Sequence, residues 1–272
     1  MIRIKMTTFL IGCAGWNYDA WIGPFYPINL PKHKQLQFYS KIFDFTEINS
    51  TYYNLPSEAT LKNWTKQVSE KFTFSVKIWK KISHEMNTLD LESKIEVFFK
   101  RLKIIENKIS FYLIQFPPKF SLNTQNIKRF ELLINIVPKS KPIAFEFRNN
   151  SWFEFADLPN YIDGNKSVLV TTYLEGIKPI YLPNQKFYYI RLIGDRTITE
   201  FNRVQRSNEE VLNEIEMNLK NIKTNFKVNE TVVIAFNNHF SGFAPQNVNE
   251  FKKRLGLTFR PFKTQMKLTD FI

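Results

Sequence analysis

Glu47, Asn49 and Thr51 occupy alternate positions in EINSTYYNLPS, Glu47 to Ser57, where a strand-like run stops burying apolar side chains. Strand residues alternate faces with period two, so these three are expected on one face, opposite Ile48 and Ser50. An acid and an amide at the end of a buried strand are costly unless something binds or pairs with them. The same spacing recurs as Ser75 and Lys77, Glu146 and Arg148, and Tyr189 and Arg191. Glu47 and Glu146 amid Lys77, Arg148 and Arg191 form a set whose mutual fields push pKa values apart, as general acid/base chemistry requires. Guanidinium groups also match a phosphate or carboxylate bidentately. A Schiff-base role for Lys77 needs a lowered pKa; with carboxylates expected nearby, a protonated, electrostatic lysine is the expectation. Glycoside hydrolysis by Glu47 and Glu146 would need a separation that sequence does not give. The same charges would equally suit an internal ion network that touches no ligand.

Eight short runs rich in β-branched and aromatic residues read as the strands that position these groups. They are Phe9–Ala14, Phe43–Asn49, Phe72–Ile78, Ser110–Phe116, Pro142–Phe147, Ser167–Tyr173, Phe187–Ile193 and Thr231–Phe236. Amphipathic segments lie between most of them, over 34–42, 57–68, 90–107, 123–137, 207–226 and 245–255. Strands alternating with helices imply parallel pairing through right-handed crossovers, and eight such units imply closure. The expected fold is therefore α/β, a single closed parallel (β/α)8 TIM-type barrel, as one domain over 1–272. Pro179 and Pro183 leave no room for a good helix between strands six and seven, so that helix is expected to be reduced or absent. An open doubly wound sheet would call for a glycine-rich phosphate loop, and GCAGWNY, Gly12 to Tyr18, lacks the G-x-G-x-x-G spacing.

In such a barrel the inward side chains at the C-terminal strand ends, with the loops that follow, form the active site. Alternation places Glu47, Asn49, Ser75, Lys77, Gln115, Glu146, Arg148, Tyr189, Arg191 and Asn237 there. Trp16, Tyr18, Trp21, Phe25, Tyr26, Tyr52, Tyr53 and Trp152 fall in the same loops, either to stack on a planar ligand or to roof the barrel. The histidines His33, His84 and His239 show no metal-ligand spacing, and Cys13 stands alone, so neither metal nor cofactor is expected.

The net charge of +13 is uneven: residues 61–141 carry sixteen basic and seven acidic side chains. Such a balance fits a phosphate-bearing partner, nucleic acid included, or a solvated lysine-rich surface. No apolar run spans a membrane, and Met1 to Leu10 lead into a strand with no cleavage-site pattern, so a cytoplasmic protein is expected. The oligomeric state is left open.

Seven ordered motifs resemble the YecE-like family, also called domain of unknown function 72. They are GCAGWNYDAWIGPFYP, FTEINSTYYNLPS, FSVKIWKKISH, QFPPKF, FEFRNNSW, YYIRLIG and FNNHFSGFAPQN. The resemblance implies a closed α/β barrel with a shared pocket, and the family has no settled reaction. It points to Gly15, Trp16, Trp21, Glu47, Asn49, Lys77, His84, Gln115, Glu146, Arg148, Trp152, Arg191, Asn237, Asn238 and Asn247 as site positions. Two departures weaken any metal proposal: Ile193 stands where relatives often have a histidine, and Thr171 and Thr172 where they often have an aspartate. Three readings follow. The first is a hydrolase or lyase acting on a small anionic, phosphate-bearing substrate. It assigns Glu47, Glu146 and Lys77 to catalysis, with Trp16, Trp21, Asn49, His84, Gln115, Arg148, Trp152, Arg191, Asn237 and Asn238 binding substrate. The others are a non-catalytic nucleic-acid binder using the basic helices, the Arg196, Arg203 and Arg206 loop and the tail from Lys252 to Lys267, and a scaffold with a vestigial pocket.

Overall fold

The computed structural model describes residues 7–85, 89–183, 185–224 and 231–262. Its strands are β1 Thr8–Cys13, β2 Phe45–Ile48, β3 Thr73–Lys77, β4 Ile109–Gln115, β5 Ile143–Glu146, β6 Ser167–Tyr173, β7 Phe187–Leu192 and β8 Thr231–Phe236. Every neighbouring pair is parallel, and β8 returns to β1 in register from Thr8↔Thr231 to Cys13↔Phe236, which closes the expected barrel. Helices α1 Gln35–Ile42, α2 Glu58–Gln67, α3 Lys80–Ser83, α4 Leu91–Leu102, α5 Thr124–Ile136, α6 Leu158–Tyr161, α7 Glu209–Thr224 and α8 Ala244–Arg254 fill the connections. Ser57 caps α2 by accepting from Thr60 N at 3.1 Å, and Asn123 caps α5 in the same way. The helix expected over 90–107 stops at Leu102 and continues as a 3₁₀ turn, Lys103–Lys108.

Period-two alternation sorts each strand into two environments. Outward residues such as Ile48, Val76, Ile114 and Ile234 pack against Leu61, Phe98, Phe130, Ile215 and Val248 of the helices. Inward, Phe45, Phe111, Leu113, Ala144, Val170 and Ala235 fill the lower barrel as an apolar plug. Two residues further along the same strands come Glu47, Gln115, Glu146, Thr172 and Asn237, so the face that builds the plug also delivers the polar groups.

The β1–β2 seam departs from regular pairing, with Cys13↔Thr46 as its register. The Tyr39 hydroxyl from α1 bridges the gap, accepting from Cys13 N at 2.8 Å and donating to Phe45 O at 3.0 Å. Gly12 is what this close approach requires, because a Cβ there would lie 2.0 Å from Phe45 O. Between β6 and β7 no described residue is helical. Ile180, Tyr181 and Leu182 instead pack against the core, and the Gln185 side chain accepts from Leu169 N at 2.9 Å. No helix among the described residues is long and apolar enough to cross a membrane.

Candidate functional site

The strand ends deliver charge into the top of the barrel, with one local exception. β2 ends at Ile48 and the chain turns into a 3₁₀ segment, Ser50–Tyr52, so Thr51 does not share the face of Glu47. Its hydroxyl is buried and donates to Lys77 O at 2.6 Å, tying β2 to β3 beneath the mouth.

Arg191 lies at the centre of the polar layer. Its Nε and Nη2 donate to the two oxygens of Glu47 at 2.9 and 2.6 Å, and its Nη1 bonds Glu146. Tyr189 donates to Glu47 Oε2 at 2.9 Å while its hydroxyl also pairs with Ser75. Thr172 donates to Glu146 Oε1 at 2.9 Å, and Arg148 Nη2 reaches the same oxygen at 2.8 Å. Glu47 and Glu146 are 0% exposed and Arg191 2%. Burial works against the ionised form of Glu146, but Arg148, Arg191 and Lys77 outweigh it and hold its carboxyl below the usual range. Burial likewise opposes the charge on Arg191, and Glu146 and Glu47 overcome it, raising its pKa. Bidentate pairing with neutral donors on the remaining oxygens is the geometry in which a buried ion network can persist.

Above this floor opens a cavity of about 450 Å³, lined among others by Asn49, Tyr52, Lys77, Arg148, Arg196 and His239. Among the described residues no carboxylate contacts Lys77. Its Nζ donates to Gln115 Oε1 at 2.8 Å and lies 4.3 Å from the centre of the Tyr52 ring. Burial, then repulsion from Arg191, lowers its pKa from 10.5 to about 8, despite the opposing pull of Glu146 and Glu47. Arg148 Nε is buried without a partner among the described residues. Burial lowers the pKa of Arg148, as do the charges of Arg191 and Arg196. Gly194, at φ 73°, lets the chain leaving β7 pass the Asn238–Phe240 turn, where a Cβ would meet Phe240 Cα at 2.2 Å. Asp195 N then bonds His239 O at 3.0 Å, so this passage sets the positions from which Arg196 and His239 reach the cavity. His239 Nδ1 donates to Ile198 O at 2.9 Å, since a carbonyl can only accept, so Nε2 is the ring nitrogen that this bond does not use.

Of the residues singled out from sequence, Glu47, Lys77, Gln115, Glu146, Arg148 and Arg191 come together, with Asn49 and Asn237 at the mouth. Others are placed elsewhere. Trp21 is buried and donates to Asn238 Oδ1 at 3.1 Å, and the same oxygen accepts from Ala244 N at the start of α8. Both residues are therefore loop packing. Trp152 donates to Phe120 O at 2.7 Å and stacks on Phe120 and Phe147 outside the mouth. Trp16 faces a separate cavity beside α2. His84 lies behind Tyr52, half-buried and bonded to Ser83, and burial followed by the charge of Lys77 pushes its pKa down to about 4. Alternation missed Thr172, Tyr52, Arg196 and His239 as members of the cluster; the last three follow strand ends, beyond its reach. Of the loop arginines, Arg206 pairs with Asp195 and Arg203 with Glu200, so neither is an unpaired surface cation; the end of the basic tail lies outside the described residues. Among the described residues no three His, Cys, Asp or Glu side chains converge as metal ligands.

Known proteins are similar to this chain in sequence, and others in shape. The chain is similar to the UPF0759 protein YunF of Bacillus subtilis, 25% identical with 92% of this chain and 95% of that protein covered. The UPF0759 protein YecE of Escherichia coli K12 is 26% identical over 40% of this chain and 38% of its own length. Crystal structures of DUF72 family proteins superpose with matching fold. That from Thermotoga maritima gives a TM-score of 0.77 at 23% identity, covering 92% of this chain and 99% of its own. That from Enterococcus faecalis gives 0.73 at 20% identity, covering 93% and 100%. The family described as protein of unknown function DUF72 matches residues 10–269, and the chain belongs to it.

Proposed function

We propose that the protein is an enzyme, a hydrolase or lyase, that takes a small anionic, phosphate-bearing substrate at the C-terminal mouth of its barrel. The observation that carries this reading is an imbalance of charge. Lys77, Arg148 and Arg191 face two carboxylates, and Arg196, with no carboxylate partner among the described residues, adds a fourth cation at the same cavity. A cavity whose cations exceed its anions, in a partly desolvated setting, is stabilised by binding an anion. Arg148 and Arg196 would hold the phosphate. The acid/base work passes from the carboxylates to Lys77 and His239, because both oxygens of Glu47 and of Glu146 are already engaged by donors. A lysine with a pKa of about 8 is still mostly protonated at neutral pH and lies close enough to that pH to give up its proton. His239 Nε2, which the bond to Ile198 O does not use, would serve as the complementary acceptor when the ring is neutral.

A panel of phosphate monoesters, diesters and sugar phosphates, assayed for release of phosphate or for elimination, tests the assignment. Lys77→Met is expected to lower kcat on any ester turned over by about a hundredfold or more, the scale of one positioned proton donor. Full turnover by Lys77→Met would remove Lys77 from the chemistry. Full turnover by the wild type alongside inactive, folded Glu47→Gln would return it to the carboxylates.

A further inference from the structure

Beside the mouth, between the β1 loop, α1 and α2, lies a second cavity of about 670 Å³. Its wall is partly aromatic: Trp16 and Trp64 meet edge to face at 5.3 Å, with Leu36 alongside. Its polar lining is rich in side-chain amides, including Asn49, Asn63 and Gln67. Gln67 Oε1 and Asn49 Oδ1 are buried with no hydrogen-bond partner among the described residues. Buried acceptors without donors are uncommon and mark places where a bound group completes the set. The two cavities meet at Tyr18 and Asn49, which line both. Tyr18 is fixed there by its hydroxyl, which donates to Ala14 O at 2.7 Å.

One ligand that fills both compartments must carry its negative charge at one end and a flat, donor-bearing group at the other. A sugar phosphate keeps its phosphate within a few bonds of the ring and would be spent inside the mouth. A nucleoside phosphate separates the two ends by a ribose. Its base presents a planar face to indoles, and an edge whose amino group donates to amide oxygens, the two-point pairing in which Asn and Gln recognise bases. Both volumes fall in the ordinary range for small-ligand sites. Resting on the proposal that the mouth binds phosphate, we infer that the substrate is a nucleoside phosphate, with its phosphates among Arg148, Arg196 and Lys77 and its base in the Trp16–Trp64 cavity.

Calorimetric titration with pyrophosphate, ribose 5-phosphate and the four ribonucleoside diphosphates tests this. At least one nucleoside diphosphate should bind at least tenfold tighter than pyrophosphate and ribose 5-phosphate. Gln67→Leu removes an unpartnered buried oxygen without loss of volume. It should erase that advantage while pyrophosphate affinity stays within twofold, and Asn63→Ala, on an exposed position, should reduce it. Arg196→Met should weaken pyrophosphate and nucleotide alike. If pyrophosphate binds but no nucleotide binds tighter, or if the advantage survives both amide substitutions, the base site is refuted and the anion site stands. If ribose 5-phosphate matches the best nucleotide, the ligand is a sugar phosphate and the inference falls. If pyrophosphate itself does not bind, the reading of the mouth falls and the base site with it.

Discussion

Two arginine-bearing layers lie one above the other in this barrel, and they are solved differently. In the floor, Arg191 is enclosed by Glu47 and Glu146, whose remaining lone pairs go to Tyr189, Thr172 and Arg148. In the rim, Lys77 meets an amide and a ring, Arg148 keeps a buried Nε without a partner among the described residues, and Arg196 adds charge to the same cavity. The floor is neutral with Arg148 as its second cation, which leaves Lys77 and Arg196 as the uncompensated charges of the rim. Self-neutralised buried charge is how a protein holds a shape, whereas uncompensated charge held close together is destabilising and persists where binding offsets it. On the function proposed above, the carboxylates that look most catalytic in the sequence would hold the shape, and the cations beside them would meet the substrate.

Breaking the floor should have the largest effect. Arg191→Met leaves two buried carboxylates without their central cation, and a loss of about 3–5 kcal/mol is expected from chemical denaturation. A loss under about 1 kcal/mol would mean that the floor is not a structural network. Relieving the rim should act in the opposite direction. Lys77 carries a folded pKa of about 8 against 10.5 unfolded, so below pH 8 both states are protonated and the folded one bears the penalty. Between about pH 8 and 10.5 the unfolded state binds the extra proton, so stability should rise across that window. Lys77→Met should stabilise the protein at pH 7 by about 1–2 kcal/mol and flatten that rise, as followed by urea denaturation at several pH values. Arg196→Met sharpens the contrast most finely: stability should change by no more than about 0.5 kcal/mol, while pyrophosphate affinity falls about tenfold.

The floor was largely legible in the sequence because period-two alternation requires no more than a correct strand. Glu47, Glu146 and Arg191 follow from Phe45, Ala144 and Tyr189 by counting in twos, and the same count from Ser75 reaches Lys77 in the rim. That no described residue between β6 and β7 is helical was legible for an equally local reason, since Pro179 and Pro183 cannot support a helix. Thr51 was misplaced because β2 ends three residues earlier, and strand ends are set by which carbonyls find partners across the seam. Arg196 and His239 escaped because their positions depend on the passage of Gly194 across the Asn238–Phe240 turn, a contact between distant segments. Trp21 and Trp152 show the converse. An aromatic residue after a strand reads the same whether it faces a ligand or, as here, donates to Asn238 or Phe120 within the packing.

The claim that the rim is poised for an anion is tested most directly by the proton that binding should draw in. Calorimetric titration of pyrophosphate at pH 8.5, in two buffers of different ionisation enthalpy, reads that proton. An anion beside Lys77 raises its pKa, so net proton uptake on saturable binding should be about half a proton greater in the wild type than in Lys77→Met, a difference in which pyrophosphate's own ionisation cancels. Absence of binding, or the same net proton exchange in the wild type and Lys77→Met, would contradict the account.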